Sequence, residues 1–398
     1  MFAVDVVVAG GGVAGLLIAS ALGRNTSVLL LEQADKLPRN KYWLTDQSAA
    51  DAVPDLQGCI DYRYDFLDYL AYDGFKATVS GHYCLWDTDK LIGCLTDQLT
   101  ASGVRILTGH RLYNVRGVQR GVLISANDKT IRARLLIDCM GFGSPLVGAK
   151  GIAEIKGYYI LHGREVRLAG DQRPVALDNV MIARRPTFFE IFPTSRGTAH
   201  AAIILPSRHY KTDRALRGDL QFILQKSHYS SRVNTEAQAP SYFGIIPVGR
   251  LRKVALDHVL FFGEAGQSNP ATSATGLSRM LHARSRLASA VLECLRSGHL
   301  DERHLRHAAP ECMSRLNRLF QECVFESLLT FSSDDFRRLV QDLDSLPDDV
   351  INDLIFAQFD FSSKRFWPLA LRAFSPGSIV GRHLVEGIVR FCSNRPLR

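Results

Sequence analysis

A chain of 398 residues is long enough for two or three domains, or for one large α/β domain with an inserted sheet, and 46% hydrophobic against 22% charged residues fits a soluble globular protein with a sizeable core. The net charge of +8 sits in mixed-sign segments such as Asp301–Arg306 and Asp334–Arg338, which reads as solvated surface and excludes a nucleic-acid-binding stripe. Eight cysteines are scattered without a CxxC pair or a secretory signal, so they read as reduced thiols of a cytoplasmic protein, and no His/Cys/Asp cluster has metal-ligand spacing.

The chain opens on an apolar run, Val4–Ala9, followed by Gly10-Gly11-Gly12-Val13-Ala14-Gly15, a helix-like segment, a second apolar run Val28–Leu31, and Glu32. Each part has a physical task in a dinucleotide-binding βαβ unit. Gly10 permits the tight turn off the strand, Gly12 lets the backbone approach a pyrophosphate, and Gly15 lets the helix pack close to the strand. The helix N-terminus presents unpaired N–H groups to phosphate, and the Glu32 carboxylate accepts from ribose hydroxyls. Val6–Gly23 has the length and lack of charge of a membrane span. Three successive glycines in its first third and the absence of a basic n-region argue against that reading.

Gln33–Asp46 is polar and reads as a loop over the cofactor, with Gln33, Arg39 and Lys41 set to reach its phosphates or cover its ring, or else simply solvated. Thr88–Ser102 has apolar residues at 91, 92, 95 and 99, a helical period, with Thr88 as N-cap and Gly103 as terminator; Val104–Thr108 follows as a strand. Asn114–Leu136 alternates short strands with Gly-containing turns, an antiparallel meander that ends in Leu135–Asp138. Cys139 reads as a small buried residue beside the nucleotide, with no base to activate it. Residues 155–255 are strand-rich, with strands expected at Tyr158–His162, Val180–Ala183, Phe188–Phe192 and Ala199–Leu205 and a helix near Arg214–Lys226.

A buried strand, Val259–Phe262, then leads to Gly263-Glu264-Ala265-Gly266, and Pro270–Gly276 opens a helix from Leu277. A nicotinamide cofactor needs one fingerprint and no such late element. A flavin needs a second loop far along the chain for its ribityl and ring portions. Glu264 is therefore expected beside the ribityl or pyrophosphate region, and Pro270–Gly276, with Thr275, along the ring.

The first motif, IDCMGFGSP at 137–145 and GEAGQSNPATSATG at 263–276 together resemble the flavin-dependent monooxygenase superfamily of the para-hydroxybenzoate hydroxylase fold. Within it the chain is most similar to the lycopene cyclase and geranylgeranyl reductase branch. Pro186–Pro193 (PTFFEIFP) is similar to a PTFLYxMP stretch of lycopene cyclases, and Asn269-Pro270-Ala271-Thr272 stands where those enzymes carry HPxTG. The resemblance covers about residues 1–290 and implies FAD, with NADPH or NADH as a transient reductant, since no second GxGxxG is present. The chain departs from the pattern in two places. Glu264 replaces the usual Asp, and Ala199–Ile203 (AHAAI) holds no acid where lycopene cyclases protonate the polyene, which counts against lycopene cyclisation. The WxWxIP sequence of the halogenase branch is absent.

Glu190 shares a strand face with Phe188 and Phe192, so it is either an acid buried among aromatics, able to protonate an alkene, or an outward-facing surface residue. His162 and His200 read as core or surface histidines of the same sheet. In the C-terminal part, Arg365–Leu369 and Ser378–Cys392 combine aromatics with arginines, and apolar residues at 380, 384, 388 and 391 share one helical face. That face either packs on the flavin domain or lies on an anionic membrane surface.

The fold expected is α/β: a doubly wound, Rossmann-like FAD-binding domain (1–154 and 256–300), an inserted antiparallel substrate sheet (155–255) and a helical region (301–398). The function expected is a FAD-dependent oxidoreductase of monooxygenase or reductase type, acting on a hydrophobic isoprenoid, polyene or aromatic molecule. The alternatives are redox-neutral cyclisation with reduced FAD, and a non-catalytic flavin-binding module.

Overall fold

A computed structural model describes residues 2–37, 42–149, 151–170, 173–182, 185–209, 212–234, 241–266, 269–309 and 315–356. Two sheets organise them. In the first, the strands Val259–Phe261, Lys129–Asp138, Phe2–Ala9, Val28–Leu31 and Arg105–Leu107 run parallel in that spatial order. Valine-rich strands of this kind are buried on both faces, and the alternation of side chains decides which core each residue joins. Val6 and Val8 pack with the helices Val13–Gly23, Thr88–Ala101 and Gly276–Ser297. Val7 and Ala9 pack on the opposite face with the meander Leu112–Val118, Gly121–Ala126 and Lys129–Asp138.

The Val13–Gly23 helix is apolar all round because it lies against the sheet and against both other helices. It spans 11 residues, and among the described residues no helix is long and apolar enough to cross a membrane. The helix after Asp87 begins one residue earlier in the chain than the sequence suggests. Asp87, not Thr88, is its N-cap, accepting from the Lys90 amide at 3.0 Å, while Thr88 is already helical. Two adjacent residues of good capping chemistry cannot be ranked by composition; the carboxylate wins as the stronger acceptor.

The second sheet contains, in spatial order, Val233–Asn234, Ala153–Leu168, Thr198–Ser207, Arg185–Pro193, Val175–Ile182, Ile60–Leu70, Lys76–Trp86 and Trp43–Asp46, with Ser241–Leu251 also paired to Ala153–Leu168. Its three strands from before residue 90 lie within the span 1–154 that contiguity assigns to the nucleotide domain. Strand Val175–Ile182 recruits Ile60–Leu70 in parallel, a pairing with no local signal, so the division at 154 does not describe the layers. Likewise the expected loop Gln33–Asp46 ends in a strand, Trp43–Asp46, paired to Tyr83–Trp86.

One face of this sheet is covered by the helix Asp213–Lys226, whose Leu216, Leu220, Ile223 and Leu224 meet Phe189, Ile191 and Ile203. His162 belongs to that face and pairs with Asp213 at the helix start. The other face looks toward the first sheet's layer and the helices Arg315–Leu328, Ser333–Ser345 and Asp348–Ile355. Arg39, Lys41 and the C-terminal segments 365–369 and 378–392 lie outside the described residues, and with them the expected contacts to phosphates and to a membrane surface.

Candidate active site

The end of the first strand turns sharply at Gly10, φ +107°, where a Cβ would run into the carbonyl of Cys139. Gly15 is held as closely against the Gly10 carbonyl. Gly12 differs: its backbone is extended and a Cβ there would meet no protein atom within 4 Å. That space lies before the N-terminus of Val13–Gly23, whose first amides have no side-chain cap. Uncapped amides, a positive dipole end and room at the backbone make an anion cradle. Glu32, 8% exposed, braces it, accepting from Gly11 N at 2.6 Å and Ala34 N at 2.8 Å. A carboxylate retains lone pairs for hydroxyl donors beyond these two. Gly10, Gly12, Val13, Ala14, Glu32 and Gln33 line one cavity, while Gly15 packs behind it. This donor set fits the ADP half of a dinucleotide.

The strand Val259–Phe261 delivers a turn, Gly263–Gly266, to the same edge. Gly263, φ +68°, abuts Ala14, and Glu264 stands beside Gly141 and lines the cavity. Ala265 is buried beneath, and Pro270 is buried too. Asn269 and Thr272–Leu277 line the cavity where the Gly276–Ser297 helix begins. This loop is clamped from behind. Tyr159 donates to Ala271 O at 2.6 Å, Gln321 accepts from Ala271 N at 3.0 Å, and Thr272 and Thr275 donate to the carbonyls of Leu354 and Ile355 at 3.1 and 3.0 Å. Under the loop, Asp138 accepts from Ser144 and from Met140 N; burial pushes its carboxyl up to about 6 despite those bonds. Burial also pushes the Cys139 thiol well above its ordinary range, so it is not a nucleophile at neutral pH.

The cavity, about 930 Å³, runs without a break from the glycine loop to the second sheet. The chamber end is walled by Leu67, Leu177, Phe188, Phe192, Phe336 and Leu343. Glu190, 6% exposed, stands on this wall between Phe188 and Phe192, and loss of hydration alone raises its carboxyl well above the usual range. Sequence reasoning missed the tyrosines around it. Tyr42 and Tyr242 line the same end with ring centroids 5.5 Å apart, and His200 stacks on Tyr42 at 4.9 Å. It also missed the helical wall, because Phe336, Leu343 and Ile355 sit in elements more than 140 residues from Glu190. Among the described residues no His/Cys/Asp/Glu group is arranged to hold a metal ion.

The family model described as lycopene cyclase protein matches residues 5–376. The chain belongs to the lycopene cyclase family. No curated protein matches the chain. Solved structures share the fold at low identity. A geranylgeranyl bacteriochlorophyll reductase-like protein from Thermoplasma acidophilum is 16% identical, with TM-score 0.74 over 93% of this chain and 99% of that one. A halogenase in complex with FAD (PltM) is 13% identical, with TM-score 0.68 over 98% and 96%. The p-nitrophenol 4-monooxygenase of Pseudomonas putida is 15% identical, with TM-score 0.64 over 96% and 99%. This lycopene cyclase family member therefore has the α/β fold shared by FAD-dependent monooxygenases.

Proposed function

We propose that the protein is a FAD-dependent enzyme of oxidoreductase type that transforms a hydrophobic small molecule. The observation that carries this reading is the single cavity joining a dinucleotide cradle to an apolar chamber with one buried acid. Gly10, Gly12, Val13, Ala14, Glu32 and Gln33 would hold the ADP half, and Glu264, Thr275 and Gly276 would face the ribityl and ring portions. The cofactor, when bound, supplies or accepts an electron pair beside the chamber, and NADPH or NADH serves as its transient reductant.

The chain's own residues do the remaining work. The apolar walls exclude water and align a flexible substrate. The N-terminus of Gly276–Ser297 favours negative charge at the ring's edge. Burial favours the protonated form of the Glu190 carboxyl, which delivers that proton to a substrate carbon. That last feature, together with family membership, favours a second reading: redox-neutral cyclisation, started by proton transfer from Glu190 to an alkene.

The test is FAD binding followed by turnover of isoprenoid and aromatic candidates, read by product mass. A gain of one oxygen marks monooxygenation, a gain of two hydrogens marks reduction, and an unchanged mass marks cyclisation. A protein that binds FAD but turns over none of them is a non-catalytic flavin module.

A further inference from the structure

On the chamber face of the second sheet, Tyr242 pairs with Gly163, Gly163 with the Arg164-flanked line that continues at Ala202, and Ala202 with Glu190. Residues paired across antiparallel strands point to the same face, so Tyr242 and Glu190 stand on one side with only two small residues between them. A Cβ at Gly163 would collide with Cε2, Cζ and the hydroxyl of Tyr242, so the end of that side chain lies over Gly163. Tyr42 closes the group from the other side, 5.8 Å from the Phe192 ring.

The hydroxyls of Tyr42 and Tyr242 are buried, and among the described residues neither has a hydrogen-bond partner. Tyr64, Tyr83, Tyr159 and Tyr229, also buried, each have one. Tyr64 donates to Pro193 O, Tyr159 to Ala271 O, Tyr229 to Asp178 and Tyr83 to Asn352. A buried tyrosine hydroxyl is ordinarily satisfied, so two unsatisfied ones on the wall of a cavity, beside a buried acid, point to a ligand group that completes them.

We propose that Tyr42, Tyr242 and Glu190 form a polar end wall that selects an otherwise apolar substrate bearing one oxygen function, a hydroxyl or carbonyl, over a pure hydrocarbon. A carbonyl oxygen accepts from both phenols, and a hydroxyl both accepts and donates. A hydrocarbon leaves all three groups unpaired in an apolar chamber. Around them Leu67, Leu177, Phe188 and Phe336 offer the substrate apolar surface. This inference rests on the reading of the chamber as a substrate site.

The test uses the full-length, FAD-loaded protein and compares farnesol, farnesal and β-farnesene, which share an apolar chain and differ in the oxygen function. Dissociation constants are read from the flavin absorbance change and from intrinsic tryptophan fluorescence. Farnesol and farnesal are expected to bind at least ~10-fold tighter than β-farnesene. Tyr42→Phe/Tyr242→Phe, which removes the two hydroxyls and keeps Glu190, should lower that ratio at least ~3-fold with the β-farnesene affinity and the flavin content retained. Equal affinities in the unaltered protein, or a ratio unchanged in the double variant, overturn the proposal. Should the double variant fail to fold, Tyr242→Phe alone and the unaltered protein's ratio decide. Binding of none of the three with FAD in place overturns the substrate-site reading as well, whereas loss of FAD binding alone points to the cradle.

Discussion

Gly12 and Gly15 lie three residues apart, yet a side chain meets open space at one and backbone at the other. Gly12→Val is therefore expected to keep the melting temperature and lose flavin, while Gly15→Val destabilises the fold by about 3 kcal/mol or more. Flavin-to-protein ratio and thermal unfolding, measured on both variants, check the separation. Glu190→Gln should retain FAD and lose at least ~100-fold in turnover if its proton is used in the chemistry. Because burial raises its carboxyl, the unaltered enzyme's rate should fall on the alkaline side at a pH above the ordinary carboxylate range, and Glu190→Gln should lack that limb. A pH–rate profile flat across that range would falsify the acid role.

Asp138 carries a pH effect on stability. Its folded pKa, about 6, lies above the ordinary 3.8, so its contribution is fully present below about pH 4 and is lost as pH rises through 6. The loss is up to about 3 kcal/mol from the size of that shift. Asp138→Asn should flatten the dependence between pH 4 and 6, as followed by urea unfolding at several pH values. These residue-level features were partly legible. Glu190's two possible environments were visible from strand alternation, and the neighbouring strands decided between them.

At the scale of elements, the loop 269–276 acquires its shape from partners remote in sequence. Tyr159, Gln321 and the carbonyls ending Asp348–Ile355 hold it against the start of the Gly276–Ser297 helix. Tyr159→Phe leaves the buried Ala271 carbonyl short of its donor and should cost about 1–3 kcal/mol. Flavin content should persist and turnover should drop, since the loop rather than the cradle is loosened; denaturant titration and single-turnover kinetics read the two effects. The strand and the helix flanking this loop were evident from an apolar run and a helical period. The clamp was not, because a Tyr in a strand and a Gln in a helix carry no mark of the backbone groups they will meet.

Across the whole molecule, the chamber is assembled from three regions: the second sheet, the loop 269–276 and the helices of 315–356. Phe336 is buried against Phe188, ring centroids 5.1 Å apart, and joins the helical wall to the sheet. Phe336→Ala should cost about 3–5 kcal/mol and widen the chamber. Unfolding free energy checks the first effect. Relaxed discrimination between short and long apolar substrates checks the second; unchanged discrimination would place the specificity wall elsewhere.

The βαβ unit, with its glycines and Glu32, was legible in the sequence alone because strand, glycine turn, helix, second strand and acid follow one another within about 30 residues. Valine-rich strands, helical periods and the late strand–turn–helix were readable for the same reason. Tertiary structure alone decided that three strands before residue 90 join the second sheet, that Ser241–Leu251 lays Tyr242 over Gly163, and that the helices after 315 complete the chamber. Those contacts join segments separated by tens to hundreds of residues. An apolar or aromatic residue states only that it will be buried; the partner that buries it is chosen when the two sheets and the helices close on one another.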